Sequence, residues 1–239
     1  MHNLDSLILV LDQESPCPYL PDRIARMPLE MPRDRLQASE VDHMLERGYR
    51  RSGRFYYHIN CPSCRACQPL RLDVNRVIET TSMQRVLRRG DRAFTLQINP
   101  PIVDSVRLSL FNRHRTQRNL AHGEGDATDF EYESFLVDSC IEVWELSLWL
   151  GNQLVAVSIT DVGADSLSAV YCFFDPAHSS LSPGTYAILR QIQLARSTNR
   201  RWLYLGMYVA DNRHLRYKAR FYPHQRFVQG DWLEFAAPT

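Results

Sequence analysis

The sequence predicts an α+β fold in two parts, a small cysteine-containing N-terminal unit over residues 1–98 and a larger unit over residues 99–239. Three observations predict it. The first part holds prolines, short strand-like segments and the run Cys61-Pro-Ser-Cys64-Arg-Ala-Cys67. The second holds three strand patterns in succession between Trp144 and Phe174. After them, Ser182-Pro183-Gly184 opens a helical pattern that leads into a further strand. At 239 residues and 44% hydrophobic, the chain suits one or two domains with a sizeable core.

In chain order, residues 14–36 include Pro16, Pro18 and Pro21 and read as irregular, extended chain. Ser39 reads as the N-cap of a helix through Arg47, with Glu40 and Asp42 in its first turn and Gly48 as its stop. Residues 54–60 are rich in strand formers, and Leu70, Leu72 and Val74 alternate with Arg71 and Asp73. The cysteine run between these two segments therefore reads as a knuckle at a hairpin tip. Residues 80–90 read as a short basic helix that stops at Gly90, and residues 103–116 and 130–140 as two more. Trp144, Leu146, Leu148 and Leu150 share one strand face. Gly151-Asn152 is a tight turn, and residues 154–160 form the return strand. Residues 167–174 make a third strand. Ser182 as cap and Pro183 at the first turn start a helix to Arg196. Residues 202–205 and 226–228 are the last two strands.

This order of two helices, three antiparallel strands, a glycine-marked helix and another strand matches the GCN5-related acyltransferase fold. In that fold the turn at Phe174–Tyr186 sits beside the acyl donor, and a helix N-terminus with free N–H groups attracts phosphate. It can equally be an ordinary helix start.

Charge is unevenly placed. The net charge is +1, yet residues 47–92 hold eleven arginines against Asp73, Glu79 and Asp91. Residues 196–226 hold seven arginines and Lys218 against Asp211, whereas Glu124 to Glu145 carries eight acids and no base. Two basic blocks that meet in space would make a phosphate-binding face; ordinary solvated faces are the alternative. Lys218 is the only lysine, so arginine forks do nearly all the cationic work.

Cys17, Cys61, Cys64 and Cys67 are four soft ligands that could complete a zinc site or hold an iron–sulfur cluster. Reduced thiols packed under a loop fit the same pattern. Cys140 and Cys172 lie in apolar runs and read as small hydrophobes. The apolar run Leu7–Leu11, flanked by Asp5 and Asp12, is too short and acidic for a secretory leader, and no run is long enough to span a membrane. A cytoplasmic protein with reduced thiols and no membrane contact is expected.

Five motifs form one ordered set: Pro-Cys17-Pro-Tyr-Leu-Pro, the Cys61–Cys67 run with Gln-Pro-Leu-Arg71-Leu-Asp-Val, Phe174-Asp-Pro, Leu181-Ser-Pro-Gly184-Thr-Tyr186, and Tyr217-Lys218-Ala-Arg220-Phe. From Cys17 to Trp232 the set resembles the aminoacyl-tRNA–protein transferases of the arginyltransferase family, in particular their bacterial aspartate/glutamate leucyltransferase branch. The resemblance implies transfer of leucine from leucyl-tRNA to the α-amine of proteins beginning with Asp or Glu, which creates a degradation signal. It implies leucyl-tRNA and such proteins as partners and requires no cofactor for transfer. The stretch Ala210–Arg216 departs from the family, which often carries Pro-Lys-Met there; His214 occupies that neighbourhood.

The donor is an activated ester, and about a tenth of an α-amine of pKa near 8 is neutral at pH 7. Positioning amine against ester could supply on the order of 7–11 kcal/mol. No strong general base is needed. Asp175, Tyr186, Tyr208 and His214 are the candidates for proton handling or oxyanion support. Arg71, Arg76, Gly184, Thr185, Lys218 and Arg220 are candidate substrate-binding residues, with Arg76 expected to grip the acceptor carboxylate. Arg85, Arg88 and Arg89 are expected to meet tRNA phosphates. Two other classes fit parts of the chain: an acyl-CoA-dependent acetyltransferase, and a zinc-containing nucleic-acid-binding module without catalysis.

Overall fold

The computed structural model describes residues 7–121 and 125–236; Asp5, beside the first apolar run, and Glu124, at the start of the acidic block, lie outside them. The chain opens with four short strands, β1 (Leu7–Leu11), β2 (Glu14–Pro16), β3 (Ile24–Arg26) and β4 (Leu29–Pro32). Helix α1 (Ala38–Glu46) leads to a hairpin of β5 (Arg50–Ser52) and β6 (Phe55–Tyr57). Then come β7 (Gln68–Asp73), α2 (Thr81–Ala93), β8 (Thr95–Asn99), α3 (Ser105–Gln117) and the single turn α4 (Asp129–Tyr132). The meander is β9 (Val143–Leu150), β10 (Gln153–Val162) and β11 (Ser166–Phe174). Helix α5 (Pro183–Ser197), β12 (Trp202–Tyr208), β13 (His224–Val228) and β14 (Asp231–Phe235) complete the fold.

Eight strands form one large sheet in the order β14-β13-β7-β12-β11-β10-β9-β8. All its neighbours are antiparallel except β11 and β12, which are parallel and joined through α5. A parallel pair needs such a crossover. Both faces of the sheet are covered. On one, α2 and α5 bury Val86, Leu87, Tyr186 and Ile192 against Leu70, Leu72 and Leu203. On the other, α1 and α3 bury Met44, Leu45, Leu110 and Phe111 with Tyr132 and Phe173. Hence β7 is buried throughout Pro69–Arg71–Leu72 rather than half-solvated. It lies inside the large sheet beside β12, so the segment before residue 98 is not confined to a separate small unit.

The four-stranded sheet β1-β4-β6-β5 docks on the large one. Since β6 and β7 belong to different sheets, the Cys61–Cys67 run joins two sheets and is not the tip of a hairpin. The docking is ionic. Arg51 of β5 is buried and ion-paired with buried Asp161 of β10 at 2.7 Å, while its Nη1 donates to the Gly53 carbonyl at 2.7 Å. A second buried ion pair sits under the sheet: Arg107 of α3 grips Glu145 of β9 at 2.6 Å and Asp104 at 2.5 Å. Burial pushes the Glu145 carboxyl pKa up, and the Arg107 fork opposes it.

Local signals explain most boundaries, with three corrections. Helix α1 is capped by Gln37, not Ser39: Gln37 is extended, and its N–H donates to Glu40 at 2.7 Å. The expected helix over 130–140 is one α turn, started by a Thr128–Glu131 capping box, that widens over Glu133–Val137 and stops at extended Asp138. Ser182 does not cap α5 through its side chain; its backbone is left-handed, at φ 56°, and Pro183 begins the helix. Three short strands, β2 to β4, run through the proline-rich segment read as irregular, and β8 adds a strand to the edge of the large sheet.

Gly90 does not stop α2, because a helix interior without a side chain is needed there. A Cβ at Gly90 would lie 2.2 Å from Cδ2 of Tyr186 on α5. Gly90→Ala should therefore destabilise the protein by about 1–3 kcal/mol through overpacking, against an offset of about 1 kcal/mol in helix propensity. Urea unfolding checks this: a lowered midpoint with an unchanged slope is expected, partly restored by adding Tyr186→Leu.

Candidate functional site

The large sheet opens at its only parallel pair. β11 and β12 are bonded over Ser166–Ser168 and Trp202–Tyr204, and their paired register ends there although both strands continue. Crevices at the carboxyl ends of parallel strands are where α/β sheets bind ligands. Here the crevice is lined by cations. Arg50 of β5 enters at the parting point, with Nη1 donating to Ser168 Oγ at 2.9 Å and Nη2 to the Ala169 carbonyl at 3.0 Å. The turn Arg216–Arg220 inserts Lys218, whose Nζ donates to the Met207 carbonyl at 2.7 Å. Tyr217, one residue earlier, is half-buried near Cys172 on β11; burial, and then Cys172, push its hydroxyl pKa up.

Gly206 makes the close approach of these cations feasible. It sits at a bulge of β12 with φ 83°, and a Cβ there would lie 2.9 Å from Arg50 Nη2 and 3.3 Å from Lys218 Nζ. Arg50 and Lys218 are 6% and 8% exposed. Among the described residues, neither is ion-paired with a carboxylate. Burial, with Arg50 as like charge, lowers the Lys218 pKa to about 7.

The N-terminal segment forms the outer wall. The Tyr19 hydroxyl pKa is raised by Tyr57, by burial and by Cys67, with the Arg50 charge opposing. The Tyr19 carbonyl accepts from Asn212 Nδ2 at 2.8 Å, which ties this segment to the loop after β12. Cys67 is pushed up to about 12 by burial and by the neighbouring Cys17, Cys61 and Cys64. The four thiols thus gather in one region. The donor chemistry suits a soft metal, but no three His, Cys, Asp or Glu among the described residues are placed to hold a metal ion. Arg65 instead crosses the cysteine loop, bonding the Cys61 and Cys64 carbonyls.

The other sequence-predicted residues divide. Asp175 is buried at the end of β11, accepting from the Ala177 N–H at 3.0 Å and paired with Arg113 at 2.6 Å, so its oxygens already serve the turn. Tyr186 faces α2 rather than the crevice; its hydroxyl donates to Asp91 at 2.9 Å, and burial followed by this bond raises its pKa to about 12. Tyr208 ends β12 beneath Arg226, 3.9 Å from its ring centre. His214 takes a bond from Arg213 and lies within electrostatic reach of His114. That histidine holds the Phe174 backbone at 2.9 and 3.1 Å, and its pKa falls to about 4 through burial. Arg71 lies between Trp202 and Trp232, at 3.9 and 4.2 Å, and bonds Tyr204 and Gln225.

Arg76 corrects an expectation. It is half exposed and its fork is filled by Glu234, at 2.5 and 2.9 Å, because the hairpin of β13 and β14 runs alongside β7. Gly184 and Thr185 form the first turn of α5, and Arg220 is exposed. Arg85, Arg88 and Arg89 stand on the exposed face of α2, where with Arg92 they line a shallow groove. Arg89 reaches Ser182, at the start of α5, at 3.4 Å. The sequence reading missed Arg50 and Gly206. Their signal was the arginine pair opening a strand and a lone glycine inside another.

Family models of the arginine-tRNA-protein transferases match in two pieces, the N terminus over residues 15–85 and the C terminus over residues 106–228. The chain belongs to this family and is a transferase. An aspartate/glutamate leucyltransferase from Aeromonas hydrophila is 36% identical over 216 residues, 90% of each chain. Those from Hahella chejuensis and Marinobacter nauticus are each 32% identical, the first covering 98% of this chain and 99% of its own length, the second 99% of both. Among solved structures, L-PGS from Bacillus licheniformis aligns at 10% identity and a TM-score of 0.46, over 73% of this chain and 51% of that chain. No helix among the described residues is long and apolar enough to cross a membrane.

The lowered Lys218 pKa is a stability statement. The unfolded chain binds the Lys218 proton up to about pH 10.5, the folded chain only below about 7. Between these values the unfolded state holds more protons, so this group makes stability rise with pH. Lys218→Met should remove that rise: relative to wild type it gains most near pH 6, and the gain shrinks towards pH 10. Melting temperatures of both proteins across that range check the sign.

Proposed function

We propose that this transferase moves leucine from leucyl-tRNA to the α-amine of proteins beginning with Asp or Glu. The observation that supports it most is likeness over nearly full length to relatives named aspartate/glutamate leucyltransferase. The geometry is consistent with the chemistry. The β9–β10–β11, α5, β12 sequence with its parted parallel pair follows the order of a GCN5-related acyltransferase. We take the crevice as the place where ester and amine meet. The amine nitrogen forms a bond to the ester carbonyl carbon, the bond to the ribose oxygen breaks, and the amine proton ends on that oxygen. The crevice holds the reactants together and excludes water, which suits a reaction driven by positioning.

The arginine face of α2 is the proposed tRNA surface. It offers Arg85, Arg88, Arg89 and Arg92 in the open, at the start of α5. Exposed arginines suit phosphates, and counterion release makes such binding salt-dependent. An acyl-CoA acetyltransferase gives no role to β5 and residues 17–20, yet these wall the crevice.

Incubation with radiolabelled leucyl-tRNA should label peptides beginning with Asp or Glu and leave those beginning with Arg or Lys nearly unlabelled. Equal labelling of all, or of none, would contradict the assignment. Arg88→Glu with Arg89→Glu should weaken tRNA binding by tenfold or more in filter binding while leaving the thermal midpoint near wild type. The wild-type affinity should fall steeply between low and high salt.

A further inference from the structure

We propose that Arg50 and Lys218, converging over Gly206 between β11 and β12, are the pocket that reads the side-chain carboxylate of the acceptor's first residue. The inference rests on the leucyl-transfer reading for its substrate and names what selects it. Two cations are held against one point of β12, since a single added carbon at Gly206 would touch both. Both are nearly excluded from water, and among the described residues neither meets a carboxylate. Their backbone and hydroxyl partners, Ser168, Ala169 and Met207, are neutral. Like charges that are desolvated together repel unless an anion joins them.

An acid partner for a buried arginine is available elsewhere in this fold. Arg51, the adjacent residue, shows the alternative: it is equally buried and has its own Asp161. Arg50 lacks such an acid: beneath it β12 presents Gly206, and the space a side chain there would take is filled by Arg50 and Lys218 themselves. The Arg50 fork and the Lys218 ammonium can together hold both oxygens of one carboxylate.

The burial of both cations favours an amino-acid side chain over a phosphate of the tRNA backbone. A folded nucleic acid presents its phosphates outward, which fits the open arginines of α2. A flexible N-terminus can enter a crevice between strands. The charged group that reaches Lys218 is Arg50 on β5; Tyr19 and Tyr57, with Cys67 behind them, lie around Arg50 on the outer wall. A carboxylate bound there favours the protonated amine, so acceptor binding draws a proton from solution near pH 7.5.

Titration calorimetry without tRNA tests this with short peptides that differ only in beginning with Asp or Asn. Wild type should bind the Asp peptide tenfold to a hundredfold more tightly. Repeating the titration in buffers of different ionisation enthalpy should show proton uptake with Asp only. Lys218→Met removes a desolvated charge and should fold at least as well as wild type. It should lose most of the Asp preference and the proton uptake, while binding leucyl-tRNA within twofold of wild type. Arg50→Lys keeps the charge without the fork, so it should weaken the Asp peptide yet still prefer it to Asn. Equal binding of both peptides by wild type overturns the proposal, as does a Lys218→Met protein with its Asp preference intact. Loss of leucyl-tRNA binding in Lys218→Met overturns it too, by assigning the pocket to a phosphate. A wild type that selects Asp as described but transfers no leucine strikes the leucyl-transfer reading and leaves this pocket standing.

Discussion

The parting of β11 from β12 is the constraint on which the rest of the molecule depends. An antiparallel neighbour would have continued the ladder, but a parallel pair joined through α5 is bonded over only three residues of each strand. Beyond that point the backbone groups of both strands need other partners, since a buried and unpaired carbonyl is costly. Arg50 satisfies Ala169 on one side, and Lys218 satisfies Met207 on the other. The crevice is therefore held open by the same cations that line it. Water could have solvated the freed carbonyls; charged side chains from distant parts of the chain do so instead, and they bring electrostatic potential with them.

That requirement explains why both halves of the chain are needed. β5 comes from the small sheet, and its two arginines do separate jobs: Arg51 fastens the sheet to Asp161, and Arg50 enters the crevice. The segment around Tyr19 is tied to Asn212 and covers the outside. The turn bearing Tyr217 and Lys218 fills the gap from the C-terminal side. Four of the five motifs read along the chain thus surround one place: the Cys17–Tyr19 segment, the cysteine run with β7, the end of β11, and the Tyr217–Lys218 turn. The start of α5 meets the end of β11, where a Cβ at Gly184 would lie 3.5 Å from the Phe174 ring, and it also reaches the arginines of α2.

Periodicity made much of the fold legible. β9 to β12 and helices α2, α3 and α5 all lie where alternation and helical spacing put them, with ends displaced by a few residues. What stayed hidden was long-range. Nothing in the sequence between Phe55 and Asp73 says that the two strands flanking the cysteines join different sheets. Arg76 looked available at a strand end, yet Glu234, 158 positions away, fills its fork. Gly90 looked like a helix stop because its real neighbour, Tyr186, sits on another helix. Arg50 was one arginine among eleven in its block, and its burial without an acid, which Arg71 shares, is not written in the local sequence. Lys218 stood out as the chain's one lysine, but its depth was not readable from spacing.

That single lysine permits one direct measurement. Protein labelled with 15N and 13C in lysine has one lysine side chain, Lys218, whose resonance can be followed through a pH titration. The account predicts a pKa near 7 in the free protein, as burial beside Arg50 requires. It predicts a clear rise when a peptide beginning with Asp is bound, and none with the Asn counterpart. A free-protein pKa at the ordinary lysine value of about 10.5, unmoved by the acidic peptide, would mean that Lys218 is solvated and the crevice does not hold the acceptor's carboxylate.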